Sequence, residues 1–189
     1  MASNLAIVPI AQDDRRELTR QAEEFLHDRQ AMRAQDLLHF KDMLLSEIRR
    51  NEFYGSTIER PEAIQLATWI ACLQYMSRLD EVKYKVRVSL QNEVLAAMDR
   101  LLPHLRDPKL GTLRQYYSLK LIRVDMIMRG GTREEAAAYL DETADELAVT
   151  GTGLPWHRGA VRQIESRRKR LEDSPQPKQL GLKRVLQLN

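Results

Sequence analysis

The chain has 189 residues, of which 43% are hydrophobic and 30% charged, with 30 Lys and Arg against 27 Asp and Glu and a single cysteine. That apolar content suffices for a packed core and excludes disorder throughout, while one thiol excludes an internal disulfide and a Cys-rich zinc site. No apolar run approaches the roughly 20 residues that span a bilayer, and residues 5–10 lack the basic leader of a signal peptide; the expectation is a cytoplasmic protein with no membrane partner.

Residues 1–12, which include Pro9, read as an N-terminal arm. From 13 to 51 there is no Gly or Pro, and Asp13 and Asp14 suit the positive end of a helix dipole. Leu18, Ala22, Phe25, Arg29 and Met32 form one stripe at helical spacing, and Leu37, Phe40, Leu44, Leu45 and Ile48 form another. The stripes do not share a register, which predicts two helices breaking near 33–36 or one helix that changes its contact face. Residues 51–59, with Gly55, read as a loop, and Pro61 suits the first turn of the next helix. Ile64, Leu66, Ala67, Ile70, Ala71, Leu73, Tyr75 and Met76 make that helix apolar over much of its circumference, as expected of a core helix. Val82 to Leu90 alternate with polar residues as a strand would. Val94, Leu95, Met98, Leu101 and Leu102 continue at helical spacing, which favours one helix over 81–102 ending near Pro103. A further helix is expected over 112–128, stopped by Gly130 and Gly131.

Thr132 followed by Glu135 is the spacing of a reciprocal capping box, and Ala136, Ala137 and Leu140 give a short helix with small residues on its packing side. A second short helix is expected over 143–149. The turn with Gly151, Gly153 and Pro155 then leads to a helix with Trp156, Val161 and Ile164 on one side. Charge is unevenly spread: residues 1–130 sum to +2, 131–150 to −5 and 151–189 to +6. Basic clusters of this kind attract polyanions by Coulomb steering and counterion release.

The small-residue helix Arg133-Glu134-Glu135-Ala136-Ala137-Ala138-Tyr139-Leu140 and the basic segment beyond it resemble the helix-turn-helix group of DNA-binding proteins, over roughly residues 130–172. The resemblance implies a helix seated in the major groove. The stretch 141–149 is acidic and would be repelled by phosphate, which places the groove-facing helix at 156–171. On that placement His157, Arg158 and Arg162 orient the protein or reach base edges, and Arg167, Arg168, Lys169 and Arg170 grip the phosphate backbone. A second reading makes the same segment a hairpin whose arginines bridge to Asp141, Glu142, Asp145 and Glu146.

In the tail, Gln179-Leu180-Gly181-Leu182 is similar to the Gln-Leu-x-Leu motif that docks replication and repair proteins on the sliding clamp, which implies a protein partner through Gln179, Leu180 and Leu182. Glu24-x-x-His27 and Asp36-x-x-His39 have the spacing of a dinuclear iron site, but on one helix they would face about 120° apart. No metal or cofactor is expected. A nucleophile elbow, a phosphate-cradling glycine loop and a zinc-hydrolase helix are all missing, so no enzyme is expected. Trp69, Tyr116 and Tyr117 have rings that can stack on bases, but their helical spacing among apolar residues favours core and rim positions.

The expectation is thus an all-α protein: an arm over 1–12, a helical bundle over 13–129, a small basic helix-turn-helix-like module over 130–173, and an extended tail over 174–189. Its expected function is that of a DNA-binding regulatory or accessory protein acting on duplex DNA, with a homodimer supplying two modules. The alternative is a helical adaptor or inhibitor that binds a protein, such as nucleic-acid-processing machinery, without touching DNA.

Overall fold

A computed structural model describes residues 12–28, 34–50, 58–79, 82 and 84–173. Among these the fold is all-α, with helices α1 (Gln12–His27), α2 (Ala34–Arg50), α3 (Arg60–Met76), α4 (Tyr84–Leu105), α5 (Leu113–Gly130), α6 (Arg133–Thr150) and α7 (His157–Asp173), and a 3-10 turn at Pro108–Leu110 before α5. None of these helices is long and apolar enough to cross a membrane.

The core is organised by α3. Pro61 occupies its first turn, where a missing N–H costs nothing, and Glu62 lies at the positive end of its dipole. Its apolar residues surround the axis, so it packs on α1, α2, α4 and α5 at once. Ala63, Leu66, Trp69, Ile70 and Cys72 have no more than a trace of exposed surface. The Trp69 indole N–H donates to Thr19 Oγ1 of α1 at 3.1 Å, which meets the one polar need of the largest buried side chain. The two stripes expected over 13–51 fall on separate helices: Leu18, Ala22 and Phe25 are buried on α1, and Leu37, Phe40, Leu44 and Ile48 on α2. Arg29 and Met32 lie outside the described residues. Ion pairs tie the two helices to each other and to α4, through Arg15 to Glu47 at 3.1 Å and through Arg49 to Glu93.

Burial pushes the Cys72 thiol up to about 12, and the thiolate is the reactive form. An aromatic disulfide reagent at pH 8 is therefore expected to leave the native protein untouched and to label it stoichiometrically in denaturant. Labelling of the native protein within minutes would show that α3 is not packed as described.

Segment 84–90, whose alternation fits a strand as well, is helical as favoured: Leu90, Val94, Ala97, Met98, Leu101 and Leu105 are all buried on one face of α4, a pattern that a strand would split between two. Two boundaries differ from the sequence reading. Helix α4 runs past Pro103. The proline removes one N–H donor near the helix end, while continuation buries Leu105 completely. Finally, the segment expected as two short helices is the single helix α6. Asp141 and Glu142 do not break a helix, and Ala136, Leu140, Thr143 and Leu147 make one continuous buried seam at spacings of three and four. Its start is the anticipated capping box: Thr132 Oγ1 accepts from Glu135 N–H at 3.1 Å, and Glu135 Oε2 accepts from Thr132 N–H at 2.8 Å.

Cross-helix contacts fix the directions of the last three helices. Tyr117 meets Thr150, Lys120 meets Glu142 and Glu146, and Arg123 stacks on Tyr139, so α5 and α6 are antiparallel over about two turns. Trp156, just ahead of α7, lies 5.7 Å from the Tyr117 ring, and Arg167 reaches Asp125; α7 therefore runs parallel to α5. One hydrophobic core extends from Leu18 on α1 to Leu171 on α7.

Candidate nucleic-acid interface

The turn from α6 into α7 is built around two glycines. Gly153 has φ +86°, in the region that favours glycine, and a Cβ on Gly151 would lie 2.5 Å from Leu147 Cδ1 and 2.9 Å from the Leu147 carbonyl. The bare backbone there lets α7 start against the end of α6. Ala160, Ile164 and Leu171 then face the core. The six residues 151–156 between these antiparallel helices form a longer connection than the three- or four-residue turn of a helix-turn-helix pair, whose helices cross at about 90–120°.

The structure separates the seven basic candidates into two groups. Arg167 is only 11% exposed and is committed: Nε and Nη2 donate to the two carboxylate oxygens of Asp125 at 3.1 and 2.7 Å, and Nη1 donates to the Gln163 carbonyl at 3.2 Å. Arg168 Nη2 pairs with Asp141 Oδ1 at 2.8 Å, and Arg170 Nη2 reaches Asp125 Oδ1 at 3.2 Å. His157 is half-buried at the turn. Arg158, Arg162 and Lys169 are exposed, and no described carboxylate lies within ion-pair distance of them. At 100° per residue these three fall within about 40° of one another on α7 and span about 16 Å along it. Glu165 lies on the same stripe, between Arg162 and Lys169. The tail residues Gln179, Leu180 and Leu182 lie outside the described residues.

Asp125 is the feature that sequence reading missed. It is 8% exposed and receives Arg167 and Arg170 from α7 and Arg78 Nη2, at 3.7 Å, from the end of α3. Arg129 follows one turn after Asp125 on α5. Arg129 belongs to the exposed residues, yet desolvation and then the Arg78 charge pull its guanidinium below its ordinary value; desolvation likewise lowers Arg78 against the pull of Asp125. Four guanidiniums thus gather about one described carboxylate. Two like charges about 8 Å apart at an effective dielectric of about 20 repel by about 2 kcal/mol. The negative helix C-termini nearby return only about 0.3–1 kcal/mol each, so the surplus of positive charge stands.

A second polar cluster ties α6 to α5. Lys120 Nζ, 4% exposed, donates to Glu146 Oε2 at 2.8 Å and Glu142 Oε1 at 3.2 Å, Tyr116 OH donates to Glu146 Oε2 at 2.9 Å, and Arg106 Nε pairs with Glu146 Oε1 at 2.9 Å. Of the four acidic residues expected to take up the α7 arginines, then, Asp141 holds one and Glu142 and Glu146 are engaged by Lys120 instead. A groove of about 710 Å³ between α2 and α4 carries Lys41, Arg49, Arg50 and Lys85, opposed by Asp42 and Glu93. Among the described residues no three His, Cys, Asp or Glu side chains converge as metal ligands would.

The class that the fold defines is an all-α helical bundle whose basic surface lies along α7 and the adjoining ends of α3 and α5. No family model matches the chain, and no curated protein or solved structure matches it either.

Proposed function

We propose that the protein is a DNA-binding regulatory or accessory factor that presents the outer stripe of α7 to duplex DNA. The observation that carries this reading is the stripe of Arg158, Arg162 and Lys169, exposed and without described acidic partners on a helix anchored at both ends. Arg170, half-exposed beside the surplus of guanidiniums, extends the same positive surface. Arg167 and Arg168 serve to hold α7 on α5 and α6, so grip on the phosphates falls to fewer residues than the sequence implied. Two copies of the chain would supply two stripes to paired half-sites.

Fluorescence anisotropy with duplex DNA at two salt concentrations tests the proposal. The wild type is expected to bind with a steep salt dependence. The triple variant Arg158→Ala, Arg162→Ala, Lys169→Ala should lose at least tenfold in affinity, and its slope of log K against log salt should be shallower by about 2.7, or about 0.9 per phosphate contact. Unchanged affinity and slope would remove α7 from the interface.

The adaptor reading draws on a different observation. Val149 is 83% exposed and Leu154 36% exposed, and together they place apolar surface at the α6–α7 turn, where a protein partner could cover it. Absence of duplex binding even at low salt would favour that reading.

A further inference from the structure

The guanidiniums around Asp125 have more donors than the described acceptors use. Arg167 spends all three nitrogens on Asp125 and the Gln163 carbonyl. Arg170 contributes only Nη2, at 3.2 Å. Arg78 contributes only Nη2, at 3.7 Å, and its Nε is a buried donor with no hydrogen-bond partner. Arg129, on the same face of α5 as Asp125, has no ion pair to a described carboxylate. The two oxygens of Asp125 already serve three guanidiniums. Over the described residues the cluster carries four positive charges and one negative, at a place where the ends of three helices converge.

We propose that Arg78, Arg129 and Arg170 form a binding site for a single phosphate group, a tetrahedral oxyanion seated beside Asp125, with the Arg167 pair as its fixed floor. Guanidinium forks suit this ligand, because two parallel N–H donors match two oxygens of a phosphate. Phosphate oxygens supply the acceptors that Arg78 Nε and the free edges of Arg129 and Arg170 lack, and their charge offsets the mutual repulsion of the cluster. Chloride offers charge without the paired oxygens, so the site should discriminate between the two anions. The site does not depend on the α7 stripe: Arg158, Arg162 and Lys169 take no part in it.

The test is titration calorimetry of the full chain with inorganic phosphate, together with thermal unfolding in phosphate and in chloride at matched ionic strength. Saturable binding and a higher Tm in phosphate are expected. Arg129→Gln, which breaks no described ion pair and should fold normally, should weaken phosphate binding about tenfold or more, the worth of a charge-assisted hydrogen bond. Asp125→Asn removes the competing carboxylate charge and should strengthen it. Equal Tm in the two salts, or an unchanged isotherm for Arg129→Gln, would overturn the site. If phosphate competes with duplex DNA and Arg129→Gln weakens both, the group bound is a backbone phosphate. If phosphate binds without displacing DNA, it is a free phosphate or a phosphorylated small molecule. The triple variant of the α7 stripe should leave the phosphate isotherm intact, so this site and the DNA reading can fail separately.

Discussion

Replacing Asp125 with alanine is expected to lower the free energy of unfolding by about 3 kcal/mol, the scale for removing one partner of a buried ion pair, and to lower Tm by about 10 °C in a chain of this size. The loss has two sources. Arg167, 11% exposed, would be left with only the Gln163 carbonyl, and Arg78, Arg129 and Arg170 would repel one another with no described carboxylate between them. The effect is kept toward the lower end of the range because Arg170 is 53% exposed and water can take over part of its solvation. Urea unfolding of the variant provides the measurement. A change below about 1 kcal/mol would mean that the four guanidiniums are solvated well enough without the carboxylate, and the account of α7 anchoring would then be wrong.

Lys120→Met is expected to cost a similar amount, about 3 kcal/mol, because it leaves Glu146 with Tyr116 and the largely exposed Arg106 but without its buried ammonium. Adding Glu146→Gln should recover much of the loss, since the amide oxygen still accepts from Tyr116 while the unpaired charge is gone. The pair also predicts a pH profile. Burial raises the Glu146 carboxyl, but the hydrogen bonds from Lys120 and Tyr116 outweigh it, and the net shift is downward. Burial lowers the Lys120 ammonium, but its hydrogen bonds to Glu146 and Glu142 and the Glu146 charge outweigh it, and the net shift is upward. A carboxyl depressed by folding stabilises fully above its unfolded value of about 4.3, and loses that contribution as pH falls through the folded value. A raised ammonium stabilises fully below about 10.4 and loses its contribution as pH climbs past it. Urea midpoints should therefore fall below about pH 4 in the wild type, and less steeply in Glu146→Gln. Equal steepness in both would show that Glu146 has no share in the acid loss.

Both variants concern residues on α5, where sequence reading was least informative. The capping box at Thr132 and Glu135, the proline at the first turn of α3 and the apolar circumference of that helix are local patterns, and each could be read directly. Asp125 and Lys120 carry a weaker signal, a lone charge set among residues such as Tyr117, Leu121, Val124 and Met126 that otherwise mark a buried face. A charge in that position announces a partner without naming it. Asp125 and Arg167 are 42 positions apart, and Lys120 and Glu146 are 26 apart, so only packing decides who pairs with whom. For the same reason the sequence, which divided the seven basic candidates into His157, Arg158 and Arg162 toward the bases and Arg167, Arg168, Lys169 and Arg170 toward the phosphates, did not mark the ones that the fold commits. Burial on one side of α7 commits Arg167, and the neighbouring α6 captures Arg168, while the stripe at 158, 162 and 169 points away from both. The continuity of α6 was readable in the spacing of Ala136, Leu140, Thr143 and Leu147, but the acidic residues between them suggested a break that helix propensity does not require.

The anchoring of α7 at its two ends has a consequence for the thermodynamics of recognition. Trp156 against Tyr117 holds its beginning, and Arg167 on Asp125 holds its far end. A ligand that meets the outer stripe finds a backbone already ordered, and only the rotamers of three long side chains remain to be fixed, at about 0.5–1.5 kcal/mol each. Binding then carries little of the heat-capacity change that accompanies coupled folding. On the proposed reading the helix is a ruler, whose fixed spacing suits ligands with negative charges recurring along about 16 Å.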